Sequence, residues 1–238
     1  MTSPKSASRK RFYQSATAGD AEAGGHPVSL DGRGVKTPGG RALSLPTRAL
    51  AEAIAAEWNA QGETIVPASL PLTKLANTAI DGVAASESAT VDDILKYAAS
   101  DLLCYRAPYP ADLAQAQAAA WDPILSLIQA KYNAPFVTGT GIAHVAQPAA
   151  SLAALRGAIA SLGAFKLTAL HVMTSLTGSV LIALAHAEAG LDAGAAWAAA
   201  HVDETWQKLR WGEDFEAAQR EKAQHMEFEA AASFYKMS

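Results

Sequence analysis

The stretch ALSLPTRALAEAIAAEW, residues 42–58, changes its hydrophobic period at Pro46. Before the proline, Leu43 and Leu45 alternate with Ala42 and Ser44, the two-residue repeat of a half-buried strand. After it, Leu50, Ile54, Trp58 and Gln61 fall on one face of a helix that Thr47 is placed to cap. Upstream of this switch the pattern is strands. RFYQSAT puts Phe12, Gln14 and Ala16 on one alternating face, and HPVSLD alternates Val28 and Leu30 against polar neighbours. Asp31-Gly32 and Pro38-Gly39-Gly40 supply turns, which together describe a meander of short antiparallel strands. Downstream, ETIVP reads as one more strand around Ile65. PLTKLANTAIDGV then spaces Leu72, Leu75, Ala76, Ala79, Ile80 and Val83 as a helix with Gly82 near its end.

The polar linker AASESAT marks a domain boundary. The expected fold is α+β: a small amino-terminal α/β domain with antiparallel strands and two helices (residues 1–87), followed by an all-helical carboxyl-terminal domain (residues 88–238). Thr90 with Asp93 resembles a capping box. A first helix from there carries Val91, Ile94, Leu95, Ala98, Leu102 and Tyr105 and stops before Pro108 and Pro110. A long helix follows from about Asp112, with Pro123 either kinking or restarting it. Residues 133–148 read as a loop. Helices are expected near 149–162, 165–189 and 193–210, and a last one from about Glu213.

Composition narrows the function. The 238 residues carry a net charge of −4, with a pI near 5.9. That field disfavours general nucleic-acid binding. Charged residues are 18% of the chain, below the usual quarter, which points to a surface partly covered by a partner. The segment 167–187 has no Asp, Glu, Lys or Arg and is long enough to span a bilayer. Its Ala, Ser and Thr content, His171, His186 and central Gly178 instead favour a buried core helix, so no stable membrane insertion is expected. The basic start MTSPKSASRKRFYQ lacks the apolar run of a secretory signal.

Candidate chemistry is sparse. DLLCYRAP (101–108) sets Asp101, Cys104, Tyr105 and Arg106 together, and an enzyme using this cluster is the alternative reading. Cys104 lies off the apolar stripe of its helix, and packed cysteine is the plainer account. Asp101, at the edge of the stripe, needs a partner, and Arg106 is the candidate. GTGIAH lacks the full dinucleotide fingerprint, and no phosphate-cradling Gly-Lys loop occurs. His201, Asp203 and Glu204 do not have metal-ligand spacing. No catalytic residue, metal or cofactor is assigned. Trp206 and Trp211 flank KLR and lead into WGEDFE. Gly212 ends one helix and Glu213, Asp214 and Glu216 open the next, where acids suit the helix dipole. Aromatics beside fixed charges are also what a protein-binding surface uses.

Several stretches in order resemble one family, the assembly chaperones that bind the alpha subunit of the ATP synthase catalytic head. They are RFY (11–13), LDGRGVKTPGGRALSLP (30–46), residues 50–83, DLLCYRAP with Gln117 and WDPIL (121–125), and DETWQKLRWGEDFEAAQR (203–220). The resemblance implies an amino-terminal α/β domain and a carboxyl-terminal helical domain. It implies a non-enzymatic protein that holds new alpha subunit soluble before it joins the beta subunit, without ATP or metal. The protein would be a monomer in the bacterial cytoplasm, or in the mitochondrial matrix of a eukaryote; the short amino terminus favours the former. It also implies a functionally important acid in the carboxyl-terminal region, best matched by Asp214 or Glu216, with Glu213, Trp211 and Trp206 beside it. Trp58, Asp101, Tyr105, Arg106 and Trp121 are matched as structural positions.

Overall fold

Residues 9–21 and 24–238 are described by the computed structural model. The amino-terminal strands are β1 (Arg9–Lys10), β2 (Ala16–Ala18), β3 (His26–Leu30), β4 (Arg33–Gly34), β5 (Ser44–Leu45) and β6 (Thr64–Ile65). Strand β3 organises four of them, pairing antiparallel with β2, β4 and β5, while β1 and β6 pair with each other in a separate sheet. Its register sets Ala16 opposite Leu30 and Ala18 opposite Val28. The apolar side chains therefore gather on one face. Helix α1 (Arg48–Asn59) packs on β2 and β3, and its Leu50 and Ile54 are buried, as are Val28, Leu43 and Leu45. Thr47 caps it, its hydroxyl accepting from the Leu50 amide at 3.2 Å.

The alternation assigned to residues 12–16 is corrected by one position at its start. Tyr13 is buried, whereas Phe12 is 60% exposed. The strand begins only at Ala16, because the Arg11 guanidinium donates to the carbonyls of Tyr13 and Gln14 and bends the chain.

The EWxxQ segment is a clasp. The Glu57 carboxylate accepts from the Leu72 and Thr73 amides at 2.6 and 2.9 Å, capping helix α2 (Pro71–Asp81). Trp58 donates its indole N–H to Thr73 Oγ1 and meets Tyr13 edge-on. Gln61 accepts from the Val66 amide and donates to the Glu57 carbonyl and the Ser69 hydroxyl. Three polar side chains thus fix how α1, β6 and α2 follow one another.

The Cα framework divides into two compact units, one running to Ala85 with Met237–Ser238 added, the other Ser86–Lys236. The second unit contains α3 (Glu87–Ala99), β7 (Tyr105–Arg106), α4 (Ala111–Tyr132), β8 (Gly139–Thr140), α5 (Ala149–Ala160), α6 (Ala164–Thr177), α7 (Val180–Ala189), α8 (Ala193–Ala200), α9 (Val202–Trp211) and most of α10 (Phe215–Met237). Small antiparallel sheets followed by a helical region make the fold α+β. Among the described residues no helix is long and apolar enough to cross a membrane.

Five expectations change here. The segment expected as one helix over 193–210 is two, α8 and α9, which meet at His201. Helix α3 starts three residues before Thr90, so Thr90 lies inside it and bonds the Ser86 carbonyl. It ends at Ala99 rather than running to Tyr105; Leu102–Cys104 form a 3₁₀ turn and Tyr105 lies in β7. Part of the 133–148 loop becomes β8, which pairs parallel with β7. The 165–189 segment is two helices, broken at Gly178 with φ +66°, a value that favours glycine. Helix α4, in contrast, passes through Pro123 without interruption.

Asp101 explains two of these breaks. Its carboxylate is fully buried and accepts from the Ser179 hydroxyl (2.6 Å), the Leu103 amide (3.1 Å) and the Leu181 amide (3.2 Å). It caps the 3₁₀ turn after α3 and, with Ser179, the start of α7. Helix α7, whose residues Val180–Ala185 are all buried, packs against α3, α4, α6 and α8.

Replacing Asp101 by Asn leaves one of these buried donors facing another donor. It should lower stability at pH 7 by about 1–3 kcal/mol, read by urea denaturation. Burial raises Asp101 to about 6, against the pull of Ser179 and the backbone amides. The folded state then holds this proton more firmly than the unfolded chain does. Its contribution is present below the unfolded pKa near 4 and is lost as pH rises through about 6. The wild type minus Asp101→Asn stability difference should therefore shrink from pH 4 to pH 6; a flat difference would contradict this.

Candidate functional site

The DLLCYRAP segment holds no assembled catalytic cluster, because its polar members face different neighbours. Asp101 is committed to α7 and does not pair with Arg106, which corrects the expected ion pair. Arg106 instead bonds Asp122 and lies over the Trp121 ring, 4.9 Å from its centroid. Tyr105 approaches His144 at 3.4 Å. Cys104 is fully buried, and desolvation first, then the Asp101 charge, pushes its thiol up to about 12. A thiol that stays protonated and inaccessible is a poor nucleophile. Trp121 is buried and donates to the Ala199 carbonyl at 2.7 Å. Gln117 bridges the segment to the carboxyl-terminal helices, accepting from the Ala107 amide and donating to Asp203. These residues form a scaffold.

That scaffold presents helix α9 and the first turn of α10. Trp206, half-buried, donates to Asp112 of α4 at 3.2 Å, and Arg210 bonds the same carboxylate. The Arg210 guanidinium stacks 4.1 Å above the Trp206 ring. Trp211 meets Trp206 edge-on with centroids 5.6 Å apart yet is 73% exposed. Gly212, at φ +87°, ends α9 and turns the chain so that Trp211 and Phe215 flank the bend. Leu209 and Phe215 are 84% and 77% exposed. Three large apolar side chains close in sequence to Glu213, Asp214 and Glu216 are thus left uncovered around the bend.

The three acids are not equivalent. Asp214 accepts from the Ala217 amide at 2.8 Å and caps α10. Glu213 lies 3.6 Å from Lys208, which also bonds Glu221 of α10. Glu216 is largely in solvent, and among the described residues its ion-pair contact is with Arg220 at 3.9 Å. Trp58 sits in the other unit, half-buried in the EWxxQ clasp. His201 stacks on Trp197, and among the described residues no group of His, Cys, Asp and Glu could hold a metal ion. Leu209, Phe215 and Asp112 escaped the sequence reading. Apolar residues flanking WGED were the available signal for the first two; Asp112 lies too far along the chain from Arg210 for any local pattern.

Two measurements check these assignments. Asp214→Ala should cost about 1 kcal/mol through loss of the cap, whereas Glu216→Lys should stay within about 0.5 kcal/mol, both by urea denaturation. Cys104 should resist iodoacetamide at neutral pH in the folded protein and react in denaturant; equal rates would show an accessible thiol.

The model for the ATP12 chaperone protein family matches residues 10–129. The mitochondrial protein atp12 of Schizosaccharomyces pombe is 25% identical over 215 residues, covering 85% of this chain and 74% of that protein. The crystal structure of Atp12 from Paracoccus denitrificans superposes with a TM-score of 0.91 at 39% identity, covering 96% of this chain and 98% of that one. The Atu1473 protein of Agrobacterium tumefaciens gives 0.93 at 41% identity, covering 96% and 85%. The scaffold residues from Arg11 through Trp121 lie within the matched span, and the chain belongs to the ATP12 chaperone family, a family of ATP synthase assembly chaperones.

Proposed function

We propose that this protein binds the unassembled alpha subunit of ATP synthase, keeps it from aggregating and yields it to the beta subunit. The observation that carries the reading is the exposure of Leu209, Trp211 and Phe215 around the Gly212 bend, on helices tied to α4, with Glu213, Asp214 and Glu216 in the same stretch. An unassembled subunit exposes apolar interface that drives aggregation. Trp and Phe supply contact area, and rim charges set orientation and encounter rate. Three apolar side chains make a modest interface, which suits a client that must later leave. The setting is the bacterial cytoplasm, or the matrix in a mitochondrial relative, and the protein acts as a monomer without cofactor.

Co-expression with the alpha subunit alone should raise the soluble fraction of that subunit. Glu216→Lys should reduce the effect, and Leu209→Ser with Trp211→Ser should reduce it further, with thermal unfolding of the chaperone nearly unchanged. No rise in soluble alpha subunit with the wild type would overturn the proposal. A rise that both variants preserve would move the binding face elsewhere.

A further inference from the structure

The amino-terminal unit contains a second, chemically different concavity of about 800 Å³, at the upper end of the range in which proteins hold ligands. Tyr13, Leu30 and Ile65 are buried along it and Trp58 is half-buried, so its floor is apolar and aromatic. Phe12, 60% exposed, stands on its wall. The rim is cationic: Arg9, Arg33 and Lys36 all line it. Arg9 lies over the Phe12 ring at 5.0 Å. The side chains of Arg33 and Lys36 are exposed and have no ion pair or hydrogen bond among the described residues. The carboxylate that lines the site, Asp31, is already held by the Gln14 and Ser15 amides. The site therefore combines an aromatic wall, exposed at Phe12 and partly at Trp58, with a rim on which three cations outnumber one carboxylate, in a chain whose overall charge is negative.

We propose that this concavity binds a polypeptide segment in which acidic side chains alternate with apolar ones. The apolar side chains cover Phe12 and the exposed part of Trp58, and the carboxylates meet Arg33 and Lys36, a guanidinium being suited to two parallel bonds with a carboxylate. Nucleic acid fits less well. Three cations neutralise few of a nucleic acid's closely spaced phosphates. The amino-terminal residues MTSPKSAS carry a lysine and no acid or aromatic, so their charge does not complement the rim. The inference draws on residues of the first unit alone and stands apart from the alpha-subunit reading.

The test uses the full-length protein and fluorescein-labelled dodecapeptides, acetylated and amidated so that carboxylates come only from side chains. One alternates Glu with Leu and Phe, the second replaces Glu by Lys, and the third replaces Leu and Phe by Ser. Fluorescence anisotropy should show binding of the first peptide, weakened by added salt, and at least about tenfold weaker binding of the other two. Arg33→Glu with Lys36→Glu should weaken the first peptide by a similar factor. Both side chains are solvent-exposed, so this variant should fold, and circular dichroism checks it. Phe12→Ser tests the apolar contribution separately and should also weaken binding. Equal binding of the Lys peptide, no effect of the double reversal, or tighter binding of a uridine dodecamer than of the first peptide would each overturn the proposal.

Discussion

A carboxylate taken wholly out of water must be met by hydrogen bonds, because leaving it unpaired costs several kcal/mol. Asp101 is such a group, and the helical unit is arranged around meeting its demand. Its oxygens draw the amide of Leu103, the amide of Leu181 and the hydroxyl of Ser179 to one point. Fixing that point ends the first helix, starts the 3₁₀ turn and seats the buried helix Val180–Ala189. Arg106, released from Asp101, lies over Trp121 and bonds Asp122. Gln117 then carries the order outward to Asp203, at the base of the helix that bears Trp206 and Trp211. A run of ordinary contacts thus connects a buried acid to an exposed aromatic surface.

What could be read from the sequence follows the range of the forces involved. The switch at Pro46 was legible because strand period, helix period and the Thr47 cap are all local. The same is true of α2 and of the Gly212 bend. Phe12 and Tyr13 were misassigned because Arg11 bends the chain through bonds to Tyr13 and Gln14, which no alternation pattern encodes. The partner of Asp101 was missed because Ser179 and Leu181 lie about eighty positions away. Charge sign suggested Arg106 instead, although a buried carboxylate is equally served by amides and a hydroxyl. Of the carboxyl-terminal surface, the tryptophans and acids were visible, but their division of labour was not. Asp214 caps, Glu213 pairs with a lysine and Glu216 stands in solvent near Arg220 only once the helices are in place.

The two units show two styles of exposed surface. On α9 and α10, apolar side chains stand beside acids. In the amino-terminal concavity, apolar side chains stand beside bases. Trp58 of the EWxxQ clasp also lines the amino-terminal concavity, so a residue that fixes the fold shapes that surface too.

The most direct test is hydrogen–deuterium exchange of the protein alone and in complex with purified alpha subunit. The account predicts that amides of residues 206–220 gain protection in the complex, around the bend at Gly212. Unchanged exchange through 206–220, with protection appearing only on other helices of the chain, would contradict it.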